Sequence, residues 1–153
     1  MSATDPKLFK KYDIRGKAEG ENAALTAVEA RLIGRAFGTY LDRVEGVQTV
    51  IVGRDNRRSS PALSQALIAG LQASGCKVID IRLTSTPMVY WHAVHHDNAG
   101  GVMITGSHLA PEQNGFKLCV GARNIYGDGI QALRMLIEQD DFNSGYETVR
   151  LKE

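Results

Sequence analysis
The chain has 153 residues, 43% apolar and 23% charged, with 18 Lys+Arg set against 17 Asp+Glu for a formal net charge of +1. That size suits one compact domain, and the near-cancelling charge excludes the broad basic face of a nucleic-acid binder; Lys10-Lys11 and Arg57-Arg58 are short, scattered pairs that read as solvated surface or local phosphate contacts. No stretch reaches the ~20 apolar residues of a membrane span, no charged-then-apolar leader opens the chain, and Cys76 and Cys119 fit no metal or redox spacing, so a cytoplasmic protein with buried free thiols and no membrane partner is expected.

Val28, Leu32, Ala36, Phe37, Tyr40 and Leu41 recur at helical spacing between Thr26 and Val44, which predicts an amphipathic helix. After Gly46, the run Thr49-Val50-Ile51-Val52 has the β-branched continuity of a strand buried on both faces. Gly53-Arg54-Asp55-Asn56 ends it. Ser59-Ser60-Pro61 then supplies an N-cap and a first-turn proline, and Leu63, Leu67, Ile68 and Leu71 carry a second helix towards Gly75. A strand over Lys77 to Leu83, a helix from Thr86-Pro87 to His96, strands over Gly100 to Thr105 and Phe116 to Val120, and a last helix over Ile130 to Gln139 complete the order. Such alternation predicts an α/β protein, a three-layer α/β/α domain on a mixed, mainly parallel sheet.

In such a sheet, ligands gather outside the carboxyl ends of the strands. Three segments qualify: Tyr12-Asp13-Ile14-Arg15-Gly16, Gly53-Arg54-Asp55, and Thr105-Gly106-Ser107-His108, followed by Asn114-Gly115-Phe116-Lys117. A serine nucleophile needs a base and a centre that gathers developing charge. His108 adjoins Ser107, but neighbouring side chains diverge, and no G-x-S-x-G elbow surrounds the serine, so a hydrolase triad has little support. Arg54 and Asp55 read as a salt-bridged strand end. Tyr12 and Arg15, taken alone, also fit the surface of an N-terminal strand.

Two motifs mislead. His92 and His96 share a helix face, yet no glutamate follows His92 as in H-E-x-x-H, and an ordinary amphipathic helix is the simpler reading. Gly127-x-Gly129-x-x-Ala132, with Glu147 downstream, imitates a dinucleotide fingerprint but opens the last helix instead of following a first strand.

Tyr12-Asp13-Ile14-Arg15-Gly16, Val52-Gly53-Arg54-Asp55 with Arg57 to Pro61, Thr86-Pro87-Met88, Thr105-Gly106-Ser107-His108 and Asn114-Gly115-Phe116-Lys117 resemble, in order and spacing, the signature segments of domain I of the α-D-phosphohexomutases, the phosphoglucomutase/phosphomannomutase family. The resemblance runs from about Phe9 to Phe142. It implies that residues 1–142 form the catalytic-serine domain and that 143–153 begin a linker to a second domain. It also implies an intramolecular phosphotransferase that interconverts hexose 1-phosphate and hexose 6-phosphate through a bisphosphate, with hexose bisphosphate as activator. Ser107 would carry the phosphoryl group, Lys117 and Arg15 would assist its transfer, His108 would contact it or shuttle a proton, and Tyr12 would line the cleft. A phosphoserine brings roughly −1.5 to −2 charges, which explains the need for those cations.

The family usually has Asn and Pro after the Ser-His pair; here Leu109 and Ala110 stand there. The Mg²⁺ of the complete enzyme would be held by the Ser107 phosphate with carboxylates of a D-G-D-x-D-R loop that this chain lacks. The resemblance therefore makes the remaining mutase domains, in cis or trans, the expected partners, and full turnover by the isolated chain is not expected. The alternative is a non-catalytic sugar-phosphate-binding module or a subunit of a split enzyme.

Overall fold
The computed structural model describes residues 4–144; all but the first two residues of the proposed linker over 143–153, Glu147 among them, lie outside that range. The elements are β1 (Ile14–Lys17), α1 (Ala27–Tyr40), β2 (Thr49–Arg54), α2 (Ser60–Ala73), β3 (Lys77–Leu83), α3 (Thr86–His95), β4 (Gly100–Ile104), β5 (Gln113–Val120), β6 (Arg123–Asn124) and α4 (Asp128–Glu138). Among the described residues they form one sheet in the order β1-β5-β4-β2-β3, with β6 also on β5. β2 pairs in parallel with β3 and β4, whereas β5 pairs antiparallel with β1, β4 and β6. Five strands thus run one way and β5 alone runs back, so the sheet is mixed as expected.

The continuous apolar runs of β2 and β4 are explained by helices on both faces. Val50, Val52, Val102 and Ile104 meet α1, α2 and α4 through Ile33, Phe37, Leu67, Leu71, Ile130 and Leu133. On the other face Ile51 and Met103 pack with Val89 and Ala93 of α3. The expected three layers are present, but one outer layer is a single helix.

Close approach is obtained with glycine. A Cβ on Gly34 would lie 2.2 Å from the Leu67 carbonyl oxygen and one on Gly70 2.1 Å from that of Arg31, so α1 and α2 touch backbone to backbone. α3 is seated in the same way: a Cβ on Gly53 or Gly101 would come within 2.8 or 3.1 Å of a Val89 methyl.

Local chemistry sets the ends. The Thr26 backbone N–H donates to the Glu29 carboxylate at 2.8 Å, as in a capping box at the start of α1. Regular helix stops at Tyr40, short of the expected Val44, because Leu41–Glu45 widens into a π turn that keeps Leu41 buried before Gly46, at φ 68°, reverses the chain. At the other end of the described chain, Asn143 is still tied to α1 and the π turn after it: its N–H donates to Thr39 Oγ1 at 3.0 Å and its side-chain amide to Asp42 at 3.0 Å.

Candidate active site
Backbone hydrogen bonds bring the carboxyl ends of β1, β2 and β4 to one edge. Ala18 N–H donates to the Glu112 carbonyl at 2.7 Å, Asp55 N–H to that of Ile104 at 2.9 Å, and Thr105 N–H to that of Gly115 at 2.9 Å. The serine segment, residues 105–112, is the connection between β4 and β5 and therefore stands at the edge where ligands of such sheets gather. The second expected segment, Gly53-Arg54-Asp55, reaches the same edge from β2.

The side chain that organises this connection is Arg57. Its Nη2 donates to the carbonyls of Ser107 (2.9 Å) and Leu109 (2.9 Å), and its Nη1 to those of Ala110 (2.6 Å) and Gln113 (3.1 Å). Its Nε lies 3.4 Å from Asp55 Oδ2. Four guanidinium N–H groups are therefore hydrogen-bonded, and Nε faces Asp55 as an ion pair. Glycine at 106 is required sterically, because a Cβ there would sit 2.2 Å from the Arg57 guanidinium carbon. The expected Arg54–Asp55 strand-end pair is thus corrected: Asp55 does tie the loops together, but through Arg57, and Arg57 is not solvated surface.

Asp55 also accepts from Ser60 Oγ (2.5 Å), from the Arg57 N–H (3.1 Å) and from the Gly106 N–H (3.1 Å). Burial on its own raises the carboxyl pKa, but the hydrogen bonds from Ser60, Arg57, Thr105 and Gly106 outweigh it and hold Asp55 below its ordinary value. Buried Asn114 completes the frame, donating through Nδ2 to Ser59 Oγ at 2.8 Å and Ser60 Oγ at 3.0 Å. Ser59 is consequently a brace to β5, and it makes no side-chain cap for α2.

Ser107 itself is exposed and has φ 52°. Leu109 N–H donates to the Gly106 carbonyl at 2.8 Å, so Ser107 and His108 are the central residues of a tight turn. Only the first of the two has positive φ, the pattern of a type II′ turn, where glycine is the usual occupant. A serine held there carries backbone strain of about 1–2 kcal/mol, and such outliers cluster at functional sites.

Arg15 and Lys117 share a face of the sheet. Ile14 and Phe116 are register partners buried against the α1 side, which turns Arg15 and its partner Gly115 to the α3 side, with Lys117 two residues along β5. Diagonal neighbours of this kind are about 7–8 Å apart, within reach of long side chains that share one anion. Arg15 Nε lies 3.5 Å from Asp13 Oδ1, and the side chain of half-buried Lys117 makes no hydrogen bond or ion pair among the described residues. His108 is exposed. Tyr12 lies apart from the serine loop in its contacts: its ring neighbours are Tyr126, 6.1 Å away, and Lys11.

Beside the loop opens a cleft of about 910 Å³ lined by Glu19, Asp55, Asn56, Arg57, Arg58, Thr105, Ser107, Leu109, Pro111 and Glu112. Ser107 is the only expected catalytic residue among those that line it. Asp55 is already saturated with donors, and no group of three or more His, Cys, Asp or Glu side chains among the described residues is placed to hold a metal. On α3, the His96 ring contacts the backbone carbonyl of His92, and the ring centroids are 5.8 Å apart.

Residues 6–144 match the family described as phosphoglucomutase/phosphomannomutase, alpha/beta/alpha domain I. The chain belongs to this family. A phosphomannomutase/phosphoglucomutase of Pseudomonas aeruginosa is 43% identical over 142 residues, 93% of this chain and 30% of the relative. A phosphoglucomutase/phosphomannomutase of Thermococcus kodakarensis is 46% identical over 114 residues, 73% of this chain and 24% of the relative. Among solved structures, a phosphoglucomutase/phosphomannomutase family protein of Burkholderia thailandensis superposes with a TM-score of 0.83 at 39% identity, covering 92% of this chain and 32% of that one. The chain spans about 30% of the length of the mutases it matches. Among the described residues, no helix is long and apolar enough to cross a membrane.

Arg57 and Asn114 are the site residues that sequence reasoning left without a role. Arg57 acts on backbone carbonyls, which leave no residue-type signature; the available signal was the glycine at 106, a position emptied of side chain to admit it.

Proposed function
We propose that this chain is the phosphoserine-bearing domain of a mutase that interconverts hexose 1-phosphate and hexose 6-phosphate. The observation that carries the reading is Ser107: a hydroxyl exposed at the carboxyl end of β4, in a strained turn held by Arg57. In the resting state Ser107 is a phosphate ester. A hydroxyl of the bound hexose phosphate attacks its phosphorus; the P–O bond to Ser107 breaks, Oγ takes a proton, and a hexose bisphosphate forms. Reorientation of that intermediate lets Ser107 take the other phosphoryl group and release the isomeric monophosphate.

The transferred group is highly charged, so catalysis depends on cations and positioning. Lys117 and Arg15 supply positive charge from the α3 side of the sheet, and His108 gives or takes the proton exchanged with Oγ. Mg²⁺ would neutralise further charge on the Ser107 phosphate, with its carboxylate ligands coming from the remaining mutase domains; hexose bisphosphate would prime the serine. The exposed apolar side chains Leu83, Met88, Trp91 and Val94, on and beside α3, support association with further domains. The decisive experiment mixes the chain with a hexose bisphosphate, with and without Mg²⁺ and the complementary domains, and maps phosphate by mass spectrometry. Label on Ser107 is expected; label elsewhere, or none under every condition, overturns the assignment.

A further inference from the structure
We infer that Asn143 is a clasp that locks the segment after α4 onto α1 and the π turn, and that Asp42 and Arg43 select asparagine at this position. The clasp is independent of what Ser107 carries. α4 ends in a turn that sends the chain back towards α1. Asp140 N–H donates to the Ile137 carbonyl at 3.1 Å and Asp141 N–H to that of Leu136 at 3.0 Å, the two bonds of a Schellman motif. Asp140 sits there at φ 53°, where glycine is usual. Phe142 then packs against the core, with the Arg35 guanidinium 4.6 Å from its ring centroid.

Asn143 comes next, and its backbone N–H and C=O and both ends of its side chain are all hydrogen-bonded. The N–H donates to Oγ1 of fully buried Thr39 at 3.0 Å, and Arg35 Nη2 donates to the carbonyl at 3.5 Å. Asn143 Nδ2 donates to Asp42 Oδ2 at 3.0 Å, while Oδ1 accepts from Arg43 Nε at 3.1 Å. An ionised Asp42 can only accept and Arg43 can only donate, so together they demand N–H at one end of the side chain and oxygen at the other. An aspartate of the same shape would set carboxylate against carboxylate at Asp42 and offer it no donor. Arg43 Nη2 also donates to Asp141 Oδ1 at 3.1 Å, so one guanidinium holds two residues of the segment. The π turn over Leu41–Glu45 is the element that presents Asp42 and Arg43 to it. A pull on the chain beyond Asn143 would therefore act first on α1 and the π turn, and only through them on α4.

Native-state hydrogen exchange at neutral pH, on the full 153-residue chain, tests the clasp amide by amide. The amide of residue 143 is expected to be protected in the parent, and Asn143→Asp to speed its exchange by about tenfold or more. Amides of β2 and β4 should keep their rates, which shows that the fold is intact. Asp42→Asn combined with Asn143→Asp reverses donor and acceptor across the contact and leaves Arg43 its acceptor, so protection is expected to return. Thr39→Val removes the acceptor of the Asn143 N–H at nearly constant side-chain size, and should expose that amide in a chain that keeps the asparagine. An amide at 143 that exchanges equally fast in the parent and in Asn143→Asp overturns the clasp. A double variant that folds but stays unprotected overturns the selection of asparagine by Asp42 and Arg43.

Discussion
The α1/α2/α4 layer and the serine loop lie in one small domain but are held by different physics. The layer is apolar burial: Phe37, Leu67, Leu71, Ile130 and Leu133 are each shielded from solvent, and glycines bring α1 and α2 into backbone contact. Many partners share that work, so its stability is spread over the cluster and indifferent to pH. The loop is a polar frame in which one guanidinium meets four carbonyls and one carboxylate gathers the surrounding donors. There a single side chain decides the conformation, and its charge state matters. The proposed phosphoryl carrier sits on the second kind of structure, where polar groups face outward, which a close-packed core has no reason to offer.

The contrast is broken most forcefully from the apolar side. Phe37→Ala should cost about 3–5 kcal/mol, since a fully buried aromatic ring leaves a cavity that its neighbours fill only in part. Val89→Ala, under the single helix of the opposite face, should cost roughly 2 kcal/mol for two buried methyl groups and a smaller void. Urea unfolding measures both. Equal losses would mean that the lone α3 contributes as much as the three-helix layer, against the packing described here.

The serine loop should answer in the opposite sense. Ser107→Gly relieves the positive φ and is expected to stabilise the domain by about 1 kcal/mol while removing the hydroxyl proposed to accept phosphate. A thermal melt set beside phosphate mapping reads both consequences. A Ser107→Gly chain no more stable than the parent would show that the turn stores no strain.

The two regions also differed in how far the sequence exposed them. Apolar period and β-branched continuity delivered α2, β2, β3 and β4 with nearly correct bounds, because burial against a layer leaves a repeating trace. β5 was read three residues short: Gln113-Asn114-Gly115 looks like a polar loop, and only the tertiary partners Ser59 and Ser60 explain a buried asparagine there. The two-residue β6 has no length to leave a pattern. The family resemblance singled out Ser107, Lys117 and Arg15, and register does put the two cations on one face of the sheet. Arg57 stayed hidden, since an arginine bound to carbonyls looks in sequence like any surface arginine.

The smallest effect sharpens the comparison by pH alone. Asp55 has a folded-state pKa below its ordinary value, because hydrogen bonds from Ser60, Arg57, Thr105 and Gly106 outweigh the opposing effect of burial. A carboxyl of that kind stabilises the fold at pH values above its unfolded pKa of about 3.9, and the contribution disappears as pH falls through the folded value. In Asp55→Asn the ionisation is absent. The stability difference between parent and variant should therefore be constant near neutrality and shrink below about pH 4. Asp141, held low by its hydrogen bond and charge pairing with Arg43, titrates alike in both chains and cancels from the difference. Denaturant titrations from neutral to acidic pH measure it, with amide exchange at residues 105–112 reporting whether the lost stability belongs to the loop. A difference that persists undiminished in acid would mean that Asp55 holds the loop by shape alone, and that charge is not what separates the serine loop from the packed layer behind it.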